Sequence, residues 1–124
     1  MNMNEVTGTI VDAAMEVHTC LGPGLLESAY EACLYHELIS RGCAGVRQLA
    51  LPVVYKDTVV DAGYRLDLMV EDLVIVELKS VDRVLPIHEA QLLSYLKLSN
   101  IKVGLLINFN VTRLLKHGIR RFAN

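Results

Sequence analysis

Hydrophobic positions along the chain change period, from helical spacing to extended spacing and back. Apolar residues recur at helical spacing over residues 6–17 and again over 25–41, and a Gly-Pro-Gly segment separates the two stretches. Residues 46–79 are rich in Val, Leu, Ile and Tyr, with turn signals at Lys56-Asp57 and Glu71-Asp72. The first two thirds of the chain therefore predict two helices followed by three strands.

The remaining third predicts one more helix and two more strands. Residues 87–98 follow a proline with helical spacing, and residues 101–109 are a nearly continuous apolar run, typical of a strand buried on both faces. A last, more basic strand is expected over 114–122. The order α-α-β-β-β-α-β-β predicts an α/β fold with a central mixed β-sheet flanked by helices. A chain of 124 residues without a linker or repeat is expected to form a single domain, 1–124.

Composition restricts the cellular setting. Apolar residues make up 52% of the chain and its mean hydropathy is +0.36, which is more than one small core can bury, so we expect a homodimer. Three cysteines without CxxC spacing predict reduced thiols in the cytoplasm. No apolar run approaches the roughly 18–20 residues that span a bilayer, so we expect no membrane partner.

Charge is segregated along the chain, although the net charge is only −2. Residues 1–80 carry 5 Lys/Arg against 12 Asp/Glu (−7), whereas residues 81–124 carry 7 against 2 (+5). Carboxylates gathered in one part suit a metal, and the basic residues of the other suit phosphates: Lys97, Lys102, Arg113, Lys116, Arg120 and Arg121. Taken alone, a solvated basic edge is the simpler explanation of the second part.

The candidate chemistry lies in the hairpin of residues 64–79. Side chains alternate along a strand, so Glu77 and Lys79 project from one face. A two-residue loop would turn Asp67 away from Glu77, whereas a three-residue loop or a bulge sets it opposite, and we predict this second register. Two converging carboxylates suit Mg²⁺ or Mn²⁺, and Lys79 could orient or deprotonate the attacking water. The spacing alone also fits a surface cluster of weak salt bridges.

Two helices carry further candidates. Glu27 is expected on the apolar side of the second helix, where an unpaired carboxylate is costly. Its partner there would be a metal shared with Asp67 and Glu77, a buried arginine or a loop amide. Gln91 and Tyr95 stand one turn apart on the helix after the hairpin and could contact a phosphate. A polar helix face packed on the sheet explains this pair equally well.

The segment Gly24-Leu-Leu-Glu27-Ser-Ala-Tyr30 resembles the motif that names the GxxExxY proteins, a group in the PD-(D/E)XK nuclease-like superfamily. The resemblance covers nearly the whole chain, through segments 51–56, 64–70, 75–79, 88–96 and 104–109. It implies a restriction-endonuclease-like core and a nuclease-type site, with Asp67 as the first acid, Glu77 as the second and Lys79 as the lysine.

The resemblance also assigns roles to the helical residues. Glu27 would be a further metal-binding acid, and Gln91 and Tyr95 are similar to the accessory motif of recombination-type exonucleases. The implied function is a Mg²⁺- or Mn²⁺-dependent nuclease acting on nucleic acid, with DNA favoured over RNA. A non-catalytic nucleic-acid-binding or assembly module with the same fold is the alternative, and it suits the short chain and acidic net charge.

Two positions depart from the pattern of this family. Leu66 stands where the superfamily name has proline, which is a small difference. Val46-Arg47-Gln48 has no acid where relatives often have glutamate before this strand. The second departure bears on substrate affinity and leaves the expected metal site unchanged.

Overall fold

Helices and strands alternate in an order close to the predicted one, in a computed structural model that describes residues 1–124. The helices are α1 (Met3–Leu21), α2 (Glu27–Ser40) and α3 (Pro86–Ser99). The strands are β1 (Gly45–Ala50), β2 (Val53–Tyr55), β3 (Thr58–Val60), β4 (Arg65–Val70), β5 (Val74–Lys79), β6 (Val103–Asn108) and β7 (Ile119–Ala123). None of the helices combines the length and the apolar character that crossing a bilayer demands.

Five of the strands form one mixed sheet in the order β1-β4-β5-β6-β7. Strands β5 and β6 run parallel, with α3 as the crossover between them, and all other neighbours run antiparallel. Strands β2 and β3 form a separate two-stranded ribbon. The predicted α/β fold with a mixed sheet flanked by helices is confirmed.

Helices cover both faces of this sheet. Ile10 of α1 and Leu34 of α2 are fully buried in the core on one face, and Leu92 and Leu96 of α3 pack on the other. The central strands β5 and β6 are therefore apolar on both sides, as a doubly covered sheet requires. Glu77 is the one buried charged side chain on either strand, so its position demands an explanation.

The strand boundaries differ from the prediction in two places. The three strands expected over 46–79 are five, because Pro52 cannot donate to a ladder and the segment 61–63 leaves extended pairing. The turn at Lys56-Asp57 is confirmed, and it closes the ribbon of β2 and β3. The last predicted strand begins late, since a π-helical turn over Leu114–Gly118 buries Leu114 before β7 starts.

Tyr30 anchors the loop that joins α1 to α2. Its ring is fully buried and stacks on Phe109 with the centroids 4.4 Å apart and the planes 7° from parallel. Its hydroxyl donates to the carbonyl of Gly22 and accepts from the N–H of Leu25 at 3.2 Å. The tyrosine of the GxxExxY-like segment thus fixes the start of α2 against the sheet.

Candidate active site

The hairpin of β4 and β5 closes with a three-residue loop. Val70 pairs with Val74, which leaves residues 71–73 as the loop. Counting back along both strands, Asp67 stands opposite Glu77. The predicted register is therefore confirmed, and it brings the two acids of the hairpin together.

The ladder between these strands opens at Asp67. The last backbone pair joins Leu68 to Val76. Beyond it, the N–H of Asp67 donates to Oε1 of Glu77 at 3.2 Å, and the N–H of Leu78 donates to Oδ2 of Asp67 at 2.8 Å. Each carboxylate replaces a backbone carbonyl of the neighbouring strand, so hydrogen bonds from the sheet itself orient both side chains.

Glu77 is a buried acid whose ionised form is poorly stabilised by its surroundings. Its side chain is buried, with 6% of the residue exposed. Burial first, then the charge of Asp67 and a side-chain hydrogen bond with Asp67, raise the pKa of Glu77 from its ordinary value of 4.5 to about 9. The charge of Lys79 lowers this pKa, but by less. Without a cation, Glu77 therefore retains its proton at neutral pH.

Lys79 stands two residues further along β5, at the end of the strand. It is half-buried and pairs with Asn108 of the parallel strand β6. Its ammonium belongs to none of the three salt bridges in the chain, all of which use arginine. The positive charge is therefore close enough to act on Glu77 and is not consumed by an ion pair within 4 Å.

Three residues that sequence reasoning missed support Asp67 from the side of α2. Nε2 of Gln48 donates to Oε1 of Glu31 at 2.6 Å and lies 3.4 Å from Oδ1 of Asp67. Glu31 is buried and forms a salt bridge with Arg47 at 3.0 Å. Gln48 has φ 51° and interrupts the pairing of β1 with β4, a strained conformation of the kind that clusters at functional sites.

The amide of Gln48 occupies the region where the sequence showed no acid. Only the register of β1 against β4, with Arg47 opposite Leu68, reveals that Gln48 lies beside Asp67. Two features of the sequence could have indicated this contact: the polar pair Arg47-Gln48 inside a strand, and the acid Glu31 one helical turn after Glu27.

Glu27 does not face the apolar side of α2, and this expectation was wrong. Its side chain is exposed, and α2 begins at this residue. Of the three partners considered, the structure shows a loop amide, with the N–H of Ser80 3.4 Å from Oε2 of Glu27. Glu27 and Asp67 nevertheless line one polar cavity of about 310 Å³, so Glu27 stands at the rim of the site.

Gln91 and Tyr95 approach the acids from the opposite face. Tyr95 is buried at 6% exposure, and Gln91 stands one helical turn before it on α3. Burial raises the pKa of Tyr95, and the charge of Glu77 raises it further. The phenol of Tyr95 is therefore close enough to Glu77 for the charge of Glu77 to act on it.

This geometry agrees with a comparison against protein families. The model of the PD-(D/E)XK nuclease superfamily matches residues 4–122. The chain belongs to the PD-(D/E)XK nuclease superfamily. No curated protein and no solved structure matches the chain significantly.

Membership of the PD-(D/E)XK superfamily implies a divalent cation, and the acids of the hairpin fit one. The buried Glu77 carboxyl group, whose pKa is raised by burial and by the charge of Asp67, lacks a nearby positive charge strong enough to stabilise its ionised form, and Mg²⁺ or Mn²⁺ with hard oxygen ligands would supply one. No three His, Cys, Asp or Glu side chains stand together as a ready-made metal cage. Asp67 and Glu77 would be the residues to hold such a cation, with water or substrate at the remaining positions.

Two of the basic residues near the C-terminus lie on opposite faces of the sheet. Arg120 and Arg121 are consecutive on β7, so they project to opposite faces of the sheet. Arg120 pairs with Glu89 of α3, and Arg121 lies near Asn4 of α1. Arg120 and Arg121 therefore cannot both contact the same stretch of phosphates.

Proposed function

We propose that this chain is a Mg²⁺- or Mn²⁺-dependent nuclease-like hydrolase that cleaves phosphodiester bonds in nucleic acid, with DNA favoured over RNA. The observation that carries the proposal is the pair of hydrogen bonds by which the Glu77 and Asp67 carboxylates each accept from a backbone N–H of the facing strand, at the point where β4 and β5 separate. Lys79 follows on the same strand with its ammonium unpaired. These residues lie in a chain that matches the superfamily over residues 4–122.

Asp67 and Glu77 would hold the cation, which supplies Lewis acidity to the phosphodiester when bound. The hydrogen bonds from the backbone N–H groups of Asp67 and Leu78 fix the two carboxylates before the substrate binds. The carboxylates therefore need little reorientation during the reaction. Gln48 fixes Asp67 from the other side. This preorganisation supports a catalytic role for the pair.

Lys79 would orient or deprotonate the attacking water and stabilise the charge that develops on the phosphoryl oxygens. Its freedom from internal salt bridges supports this role, because an ammonium already paired with a carboxylate would have less charge to offer. Gln91 and Tyr95 would donate hydrogen bonds to the phosphate from the α3 side. Glu27, at the rim of the cavity beside Asp67, would assist the cation through water.

The alternative is a nucleic-acid-binding or assembly module that retains the fold without catalysis. The exposure of Glu27 and the absence of a three-acid cluster favour it. The two proposals differ in their dependence on metal. A binding module would hold nucleic acid equally well in EDTA and would tolerate Asp67→Asn.

The cysteines and the exposed apolar side chains bear on the cellular compartment and on the oligomeric state. The three cysteines are free thiols, which supports a reducing compartment such as the cytoplasm. Large apolar side chains are exposed on the β2–β3 ribbon, including Val54 at 61% and Val59 at 67%, which supports a homodimer.

Cleavage assays with matched lysine variants test the proposal. The purified protein is incubated with single-stranded and duplex DNA and RNA in Mn²⁺, in Mg²⁺ and in EDTA. We expect cleavage only with metal, and we expect Lys79→Ala to abolish it. Lys56→Ala is the control, because Lys56 is an exposed lysine in the turn between β2 and β3, and this variant should retain full activity. Cleavage that persists in Lys79→Ala, or no metal-dependent cleavage of any substrate, contradicts the proposal.

A further inference from the structure

A second cavity lies on the α3 side of the sheet, apart from the polar cavity beside Asp67. It measures about 390 Å³, within the range of roughly 300–1,000 Å³ that is common for small-ligand sites. Its walls come from α3, the β2–β3 ribbon and the segment before β4, and include Val53, Tyr64, Ile87 and Leu98. No charged side chain lines it, so the cavity suits an apolar, flat group better than a phosphate.

This cavity neighbours the candidate active site through Tyr95, on which the charges of Glu77 and Asp67 act. Gln91 and Tyr95 line it, and they are also the residues of α3 that approach Glu77. A group bound in the cavity would therefore lie next to a phosphodiester bound at the acids.

The aromatic side chains of the cavity offer surfaces for stacking. Tyr64 is 43% exposed, and its ring lies 5.9 Å from the ring of Tyr95 at an angle of 58°. Ile87, which is 67% exposed, adds an apolar wall. Proteins that bind single-stranded nucleic acid stack bases on exposed aromatic rings in this way, because every base has an apolar face. The Gln91 amide and the Ser94 hydroxyl provide hydrogen-bonding groups for the edge of a base.

We propose that this cavity binds one unpaired nucleobase of a single strand, stacked on Tyr64, while the adjoining phosphodiester lies at Asp67 and Glu77. The inference rests on the proposed nuclease function and names its substrate class. A base inside a duplex is stacked and paired and cannot enter the cavity without being extruded. Single strands and frayed ends are therefore the substrates, and intact duplex is a poor one.

Binding of a fluorescent single strand to matched tyrosine variants tests the inference. Each variant is made in the Lys79→Ala protein, so that the strand remains intact in Mg²⁺, and the strand carries one fluorescent adenine analogue. Tyr64→Ala should weaken binding by roughly 5- to 150-fold, the range for loss of one base–aromatic stack, and should remove the quenching of the analogue. Tyr64→Phe keeps the ring and should bind like the parent protein.

Tyr55→Ala is the matched control. Tyr55 is 64% exposed on β2, in the same ribbon, but it does not line the cavity. Its removal should leave binding unchanged. Blunt duplex should bind about tenfold or more weakly than the single strand, because a base must first be unstacked. Circular dichroism of each variant establishes that the fold is intact before binding is compared.

The outcomes separate this inference from the nuclease proposal. Equal losses from Tyr64→Ala and Tyr55→Ala, or equal binding of duplex and single strand, overturn the base site even if the wild-type protein is a nuclease. Quenching that depends on Tyr64 in a protein that cuts no strand supports the base site and overturns the nuclease. Failure of every form to bind nucleic acid overturns the base site and leaves an apolar peptide as the occupant.

Discussion

Replacing Glu77 with glutamine should make the metal-free protein less sensitive to pH. In the folded chain the pKa of Glu77 is about 9, whereas its ordinary value is 4.5. The protonated carboxyl group fits its buried place, and ionisation there is opposed by burial and by Asp67. Glutamine has nearly the shape of the protonated acid and cannot ionise. Glu77→Gln should therefore keep the neutral side chain at every pH.

The size and sign of this effect follow from proton linkage. A folded pKa raised above the unfolded one contributes stability that is fully present below about pH 4.5 and is lost as the pH rises towards about 9. Each pH unit in this window costs about 1.4 kcal/mol, or about 6 kcal/mol over the whole shift. Between about pH 5 and pH 8, Glu77→Gln should gain about 4 kcal/mol relative to the wild-type protein.

Urea denaturation in EDTA, followed by circular dichroism across this pH range, measures the effect. Asp57→Asn is the control, because Asp57 is an exposed residue of the β2–β3 turn. Its replacement should change the free energy of unfolding by the same amount at every pH in this range. Saturating Mn²⁺ should reduce the pH dependence of the wild-type protein, since the cation replaces the proton. If the free energy of unfolding changes with pH equally in Glu77→Gln and in the wild-type protein, ionisation of Glu77 does not limit stability and the prediction is refuted.

Three further substitutions test the supports of the site and the fold. Gln48→Ala should lower the affinity for Mn²⁺ by about 10-fold in calorimetry, because the amide beside Asp67 is lost, and unchanged affinity contradicts this role. Tyr30→Phe should lower the free energy of unfolding by about 1–3 kcal/mol in urea, since two backbone groups lose a partner, and an equal stability argues against that anchor. Gly118→Ala should lower it by about 1–3 kcal/mol, because a Cβ would stand 2.5 Å from the carbonyl oxygen of Asn108, and a neutral result means that the turn can shift.

Much of the fold is readable from the sequence because burial dictates periodicity. The apolar run over 101–109 predicted a strand covered on both faces, as β6 is, and the polar signal at 71–72 marked the turn between β4 and β5. The register of that hairpin was predicted as the one, set by a three-residue loop or a bulge, that places Asp67 opposite Glu77, and the loop has three residues. These features depend on neighbours that are close in sequence.

The parts of the site that were missed depend on contacts between distant segments. Gln48 meets Asp67 across β1 and β4 and meets Glu31 on α2, and nothing in the local pattern of either segment specifies those pairings. Glu27 was placed inward because its helix was expected to start two residues earlier, at position 25. At the N-terminus of α2 the side chain instead reaches the amide of Ser80, which follows β5.

A crystal soaked in Mn²⁺ tests the central claim most directly. The account predicts one anomalous peak bound by the carboxylates of Asp67 and Glu77, at the point where β4 and β5 separate. Lys79 should lie beside this peak without contacting it. A peak held instead by Glu27 and Glu31, or no peak with both acids left in mutual contact, would contradict the account.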